Sequence, residues 1–249
     1  MDFNVKKPSH IFALIMLSVS FLVFIVLPIF SYFGVLFSTQ TDQIIDIPES
    51  SRVLFEITLL LFQIIFVVVL FIIVPILWYS LVNRLTLKEM FSRLKLRLEG
   101  IDIAFLWGIV SGIAMLVIVI VIGIILIKLG YGSEELSNIP DIEQYFSLPS
   151  MFLLITFQPI GEEIFFRGFL LEKIDSIGGE KTAILVTAVL FGLAHMSYGR
   201  LYPVVIPMVM GIILGFIVVK TKNLYSAITA HMIYNFTSFI LYIFGQSLS

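Results

Sequence analysis

Three ionisable side chains lie within six residues of an otherwise apolar stretch, QPIGEEIFFRG, which runs from Gln158 to Gly168. They are Glu162, Glu163 and Arg167. A charged side chain at the centre of a membrane helix costs about 2.5 to 3.5 kcal/mol on insertion scales, so it persists only where it is paired, hydrated or needed. A carboxylate in such surroundings can work as a general base that takes a proton from water.

Helical spacing gives the two glutamates different surroundings. Glu163 and Arg167 are four residues apart, so on a helix they share a face and can form an ion pair. Glu162 is rotated by about 100° and is free for another partner. Pro159 removes an amide donor one turn earlier and leaves carbonyls that water could reach. Taken alone, the ion pair could also be purely structural.

Two further pairs of residues have the same four-residue spacing in hydrophobic runs: Phe191 with His195, and His231 with Asn235. A lone histidine or asparagine in a membrane bundle more often makes an interhelical hydrogen bond than a catalytic contact. A carboxylate, two imidazoles and an amide on three helices are, however, the groups needed to activate water and stabilise an oxyanion. The combination therefore favours a hydrolytic site.

These segments resemble the motifs of a known family. EEIFFR (162–167) is similar to EExxxR, FGLAH (191–195) to FxxxH, and HMIYN (231–235) to HxxxN. In this order they resemble the CAAX protease and bacteriocin-processing family (CPBP, or Abi) of intramembrane proteases, which includes the type II CAAX prenyl endopeptidases. The resemblance covers about residues 151–245 and implies an intramembrane endopeptidase.

The resemblance also implies a role for each matching residue. Glu162 would be the general base that deprotonates the attacking water, and His195 would assist it or hold that water. His231 and Asn235 would donate hydrogen bonds to the oxyanion. The supporting residues would be Glu163, Arg167 and Phe191.

Metal dependence stays open at this stage. Glu162, His195 and His231 are candidate ligands for a divalent metal such as zinc, which can bind Glu and His and keep an open position. The HExxH motif of many zinc proteases is absent from the sequence. We favour direct activation of water by the glutamate, with a metalloprotease as the alternative.

The implied substrate is a membrane-associated peptide or a lipidated protein, such as a prenylated CAAX terminus, a bacteriocin leader or a signalling peptide. Two other classes of function stay open. One is a membrane regulator or scaffold on the same fold without catalysis. The other is an ion-coupled transporter with the two glutamates as a proton relay, which the lack of an internal repeat disfavours.

Composition predicts a multi-pass membrane protein that contacts lipid, and we expect it to lie in a bacterial or archaeal cell membrane. Of 249 residues, 59% are hydrophobic and 13% are charged, against about 25% charged in a typical soluble domain. A net charge of −2 gives no electrostatic footprint for nucleic acid. The chain has no cysteine, which excludes a disulfide, a thiolate nucleophile and a Cys-ligated metal.

Apolar runs of about 20 residues, the length that crosses a bilayer core, predict an all-α helix bundle with about seven transmembrane helices, within a range of six to eight. Residues 1–150 would supply N-terminal helices with a basic inner loop, and residues 151–249 the protease core. The predicted spans are Ile11–Phe37, Val53–Leu81, Ile101–Leu129, Met151–Glu172, Thr182–Tyr198, Pro203–Val219 and Leu224–Gly245.

Lysine and arginine predict the orientation through the positive-inside rule. Their clusters precede the first span and follow the second, fourth and sixth spans, which places them on one side if the chain crosses seven times. We therefore expect a cytoplasmic N-terminus and an outer C-terminus. As a further hypothesis, the site would open toward the cytoplasm. The basic connection Leu81 to Leu98 fits either an interfacial helix or a solvated linker.

The two motif histidines are predicted at different depths. His195 falls near the outer end of the fifth span, whereas His231 lies only about 10 Å from the inner end of the seventh. They can meet only if a helix is short or tilted, or if a loop dips into the bundle. The segment from Ser197 to Pro203 is the candidate for such a re-entrant connection.

Overall fold

The computed structural model describes residues 3–37, 48–132, 142–196 and 202–248, and within those ranges it contains helices and no strand. This confirms the predicted all-α fold. Six helical runs in the described part are long and apolar enough to cross a membrane: Pro8–Gly34, Glu49–Leu81, Ile101–Lys128, Leu148–Leu193, Tyr202–Thr221 and Tyr225–Gly245. The protein is therefore an integral, multi-pass membrane protein.

The first helices are α1 to α4. Helix α1 comprises Pro8–Phe21, a π-helical stretch at Leu22–Val26 and Leu27–Phe37, and α2 comprises Glu49–Val67, a π-helical stretch at Val68–Ile73 and Val74–Leu81. A short helix, α3 (Leu87–Arg93), precedes the long helix α4 (Ile101–Lys128). Helices α1 and α2 are antiparallel, because the Ser20 hydroxyl donates to the Leu70 carbonyl at 3.2 Å while Phe3 stacks on Trp78.

Helix α3 is held at both its start and its inner face. Thr86 and Glu89 form a capping box, in which each side chain accepts a hydrogen bond from the other residue's backbone amide. Met90 and Leu94 are buried in the core. The connection between α2 and α4 is therefore a packed helix and not a solvated linker.

The fourth run, Leu148–Leu193, folds back on itself at Gly179. This residue has a φ of 79° and a ψ of 168°, which cannot continue an α-helix and which only glycine adopts without strain. Phe166 and Phe191 lie about equally far before and after it, and their ring centroids are 5.2 Å apart. In one continuous helix these rings would be roughly 37 Å apart.

We therefore treat this run as two antiparallel helices, α5 (148–178) and α6 (180–193). They correspond to the predicted spans Met151–Glu172 and Thr182–Tyr198, so the expectation of about seven transmembrane helices is confirmed within its range of six to eight. Helix α5 includes a π-helical stretch at Ile164–Leu170. The remaining helices are α7 (Tyr202–Thr221) and α8 (Tyr225–Leu248).

Close glycine contacts set the packing of the C-terminal helices. A methyl group added to Gly108 of α4 would lie 2.6 Å from the Cβ of Thr229, and one added to Gly112 would lie 2.9 Å from the Cβ of Ile233. Equal steps of four residues on both helices mean that α4 and α8 run in the same direction. The N-terminal part thus packs against the predicted protease core through α4 and α8. The predicted boundary between the two parts of the chain at residue 150 stays a prediction.

Several basic segments meet at one end of the bundle, which we call the basic end. There Arg93 of α3 pairs with Glu172 at 3.0 Å, and Lys222 after α7 pairs with Glu180 at 3.1 Å. The backbone amide of Leu224 also donates to the carbonyl of Lys95 at 2.9 Å. This grouping is the arrangement that the positive-inside rule requires.

Helix α8 begins deeper in the bundle than the turn between α5 and α6. Leu224 lies against Gly168, where an added methyl group would be 3.4 Å from its Cδ2. Gly168 is about 15 Å along α5 from the turn at Gly179. The same offset brings His231, seven residues after Leu224, level with Glu162. The predicted difference in depth between His195 and His231 is therefore resolved, because the helices begin at different depths. Residues 197–201 of the predicted re-entrant connection lie outside the described residues.

Candidate active site

A cavity of about 500 Å³, which we call the site cavity, lies between α5, the end of α6, α7 and α8. Glu162, His195, His231 and Asn235 all line it. Glu162 and His231 are each only 5% exposed, whereas His195 and Asn235 are half-buried. The four residues that the motifs select, from three separate segments of the chain, thus all line one cavity.

Glu163 and Arg167 form the ion pair that their spacing predicts. Nη1 of Arg167 lies 2.9 Å from Oε1 of Glu163, and both side chains are fully buried. The guanidinium carbon also lies 4.1 Å from the centre of the Phe191 ring, a cation–π contact. The charge of Arg167 is therefore balanced by one carboxylate and one aromatic face.

Glu163 makes a second contact that the sequence analysis missed. Nδ1 of His231 donates to the same oxygen, Oε1, at 2.9 Å. A carboxylate on Nδ1 fixes the orientation of an imidazole ring and determines which nitrogen is left for chemistry. Nε2 of His231 accordingly faces Glu162, whose Oε2 is 3.8 Å away. The paired glutamates thus flank one histidine from both sides.

His195 is oriented by its own helix. Its Nδ1 donates to the carbonyl of Phe191 at 2.8 Å, which leaves Nε2 for other contacts. The Phe191 ring is fully buried, and its centroid is 4.9 Å from that of His195 and 5.8 Å from that of His231. Phe191 therefore separates the two imidazoles at a fixed spacing and also covers Arg167, which accounts for phenylalanine in the FxxxH motif.

Gln158 is a site residue that the sequence analysis did not select. Its Nε2 donates to Oε1 of Glu162 at 2.8 Å, and its own Oε1 accepts from Nε2 of Gln63 on α2 at 3.4 Å. The available signal was its place four residues before Glu162, on the same helical face. Because Gln158 holds Oε1, the other oxygen of Glu162 is the one that faces His231.

Residues 144–237 match the family model of the Rce1-like type II CAAX prenyl endopeptidases. The C-terminal half carries an Rce1-like domain. The match contains every motif residue from Glu162 to Asn235, confirms the family resemblance and points to a membrane protease. No curated protein and no solved structure matches the chain.

The motif residues also bear on whether the site could hold a metal. Among the residues that the structure describes, no group of three or more His, Asp or Glu side chains is arranged to hold a metal ion. Glu162, His195 and His231, the candidate ligands, share the site cavity without forming such a group. In this arrangement the described side chains do not fit a bound metal.

Proposed function

We propose that this protein is an intramembrane endopeptidase in which Glu162 activates water for attack on a peptide bond of a membrane-associated or lipidated peptide. The observation that carries the proposal is the convergence of one carboxylate, two imidazoles and an amide on one cavity. That cavity belongs to a domain matched to a protease family.

In the first step Glu162 takes a proton from water. Gln158 holds Oε1, so the free oxygen, Oε2, is the base. A water molecule beside Oε2 is also within reach of His231 and of the cavity wall that carries His195. Proton transfer to a positioned carboxylate contributes typically 10²- to 10⁴-fold to a rate.

In the second step the hydroxide adds to the substrate carbonyl, whose oxygen becomes an oxyanion. His231, with Nδ1 held by Glu163, donates from Nε2 when its ring carries both protons, and the Asn235 amide is the second donor. Donors placed where negative charge develops stabilise the transition state without reorganisation. Glu162 then returns its proton to the leaving amine, the C–N bond breaks, and the water oxygen stays in the new carboxylate.

The direct test uses purified protein in liposomes with three peptides: a prenylated CAAX peptide, the same peptide without its prenyl group, and an apolar signalling-type peptide. In ¹⁸O-labelled water, cleavage of any of them should place one ¹⁸O in the new carboxylate, as detected by mass spectrometry. Glu162→Gln should abolish the product. Glu180→Gln, an exposed glutamate at the basic end, is the matched control and should cleave normally.

A chelator separates the two proposed modes of water activation. If Glu162 acts directly, EDTA should leave the cleavage rate of the purified protein unchanged, because no step uses a metal. Loss of activity that zinc restores would instead assign Glu162, His195 and His231 as metal ligands and overturn the direct mechanism.

A regulator or scaffold is the second candidate function. The observation that favours it is the buried network of Glu163, Arg167 and His231, which joins α5 to α8 and would stabilise the bundle without any catalysis. In a deletion strain, rescue of the phenotype by Glu162→Gln would support the scaffold. Rescue by wild type alone would support the peptidase.

A further inference from the structure

The site cavity is confined to one half of the bundle. From Glu162 it follows α5 back toward the start of that helix, as far as Met151, and it follows α7 from Tyr202 to Met210. On α8 it runs from His231 outward to Tyr242. The start of α5, the start of α7 and the end of α8 all lie at the end of the bundle opposite the basic end.

The half of the bundle between Glu162 and the basic end is closely packed. Phe165 and Phe166 are 1% exposed, and Phe169, Leu214 and Leu224 are not exposed at all. These side chains come from α5, α7 and the start of α8, the same helices that separate around the site cavity. Packed side chains therefore fill this described part of the bundle between Glu162 and the basic end.

The walls of the site cavity are mainly apolar between Glu162 and its far end. They include Met151, Leu154, Ile206 and Phe239, with hydroxyl groups at intervals, such as that of Ser238. The eleven helical steps from Glu162 to Met151 span about 16 Å. An extended peptide covers that depth with about five residues, and 500 Å³ is within the usual range for a pocket that encloses a small ligand.

We infer that the substrate reaches Glu162 from the end opposite the basic end, as an extended and mainly apolar peptide segment of about five residues. The positive-inside rule places that end on the outer face of the membrane. The substrate class is then a peptide presented outside the cytoplasm, and not a protein C-terminus offered from within it. This inference rests on the proposed function and replaces the cytoplasmic opening that the basic loops suggested.

The natural absence of cysteine makes the route directly testable. Ser238→Cys places a thiol in the site cavity, and Ser176→Cys places one on the exposed surface at the basic end. Val189→Cys, on a surface of α6 that is 45% exposed among apolar side chains, is the control for a lipid-facing thiol. Each variant is treated with a small membrane-impermeant thiol reagent in sealed right-side-out and inside-out vesicles.

The expected result is that Ser238→Cys reacts only in right-side-out vesicles and Ser176→Cys only in inside-out vesicles, while Val189→Cys reacts in neither. Reaction of Ser238→Cys and Ser176→Cys from the same face would overturn the proposed route. Reaction of Ser238→Cys only after detergent is added would also overturn it, because the cavity would then be closed to both aqueous phases.

Labelling needs no catalytic activity, so this result is independent of whether peptide hydrolysis is found. A second measurement applies to an active preparation. The same apolar peptide is added to right-side-out or to inside-out vesicles, and cleavage should occur at least tenfold faster in the right-side-out ones. Faster cleavage in inside-out vesicles would overturn the inference while leaving the peptidase itself intact.

Discussion

At the scale of single residues, the buried charge of Arg167 is the most demanding feature of the site. Its side chain has no exposed surface, and Nε and Nη2 have no hydrogen-bond partner among the described residues. The positive charge of its guanidinium is compensated by the carboxylate of Glu163 and by the aromatic face of Phe191. Because Glu163 also holds His231, the ion pair and the proposed oxyanion donor depend on the same carboxylate oxygen.

Glu163→Gln should therefore lower the free energy of unfolding by roughly 3–5 kcal/mol, since it leaves a buried guanidinium without its counterion. The double substitution Glu163→Leu with Arg167→Met removes both charges and should recover most of that stability. It should not recover cleavage, because His231 loses its anchor. Denaturation in detergent micelles measures the first effect, and wild-type stability in Glu163→Gln would contradict it.

Gln158→Leu should reduce kcat by about 10- to 100-fold with little change in KM. The reason is the loss of a hydrogen bond to a charged group, worth about 1.5–3 kcal/mol, which orients the proposed base without contacting substrate. Gln63→Leu, which removes only the longer neutral contact at 3.4 Å, is the control and should have a smaller effect. A large rise in KM with unchanged kcat would place Gln158 in substrate binding instead.

The sequence predicted the motif residues but not all of their contacts. Glu162, His195, His231 and Asn235 could be selected because ionisable and amide side chains are rare in apolar runs and because they match three motifs in order. The bond from Glu163 to His231 joins positions 68 residues apart. It depends on the depth at which α8 begins, which no local spacing determines.

At the scale of elements, the turn at Gly179 decides how the site is assembled. It returns α6 along α5, so Phe191 packs on Phe166 and His195 reaches the level of Glu162. The basic residues around it predicted a break between two spans. What they did not predict is that this hairpin extends about 15 Å beyond Gly168, where α8 begins.

Gly179→Ala tests the hairpin directly. At a φ of 79° an alanine is strained, so we expect a loss of roughly 1–3 kcal/mol in stability. In a continuous helix the same substitution would instead stabilise by about 0.5–1 kcal/mol. Gly245→Ala, a position on α8 with open space around it, is the control. Thermal unfolding in detergent gives the sign, and a higher Tm for Gly179→Ala would contradict the turn.

At the scale of the whole molecule, exposed apolar side chains surround the bundle and give it a surface for lipid. Phe30 of α1, Leu54 of α2 and Ile103 of α4 are 69%, 70% and 52% exposed. Composition alone predicted this environment. The direction in which the site cavity extends could not be predicted, because it depends on which halves of α5, α7 and α8 separate.

The orientation of the whole chain is predicted by its charges. Reporter domains fused before α1 and after α8 should lie on opposite faces of the membrane, with the first in the cytoplasm, because α5 and α6 each cross. Protease protection of the two fusions in sealed vesicles measures this. Both reporters on the same face would contradict an odd number of crossings.

The most direct test of the central claim is the single-turnover rate of peptide cleavage by purified wild type, Glu162→Gln and Glu180→Gln, with equal folded protein in each. If water is activated by Glu162 in the site cavity, Glu162→Gln should be slower by at least about 10²-fold, and Glu180→Gln should match wild type. Equal rates in all three proteins would show that this carboxylate does not carry the chemistry.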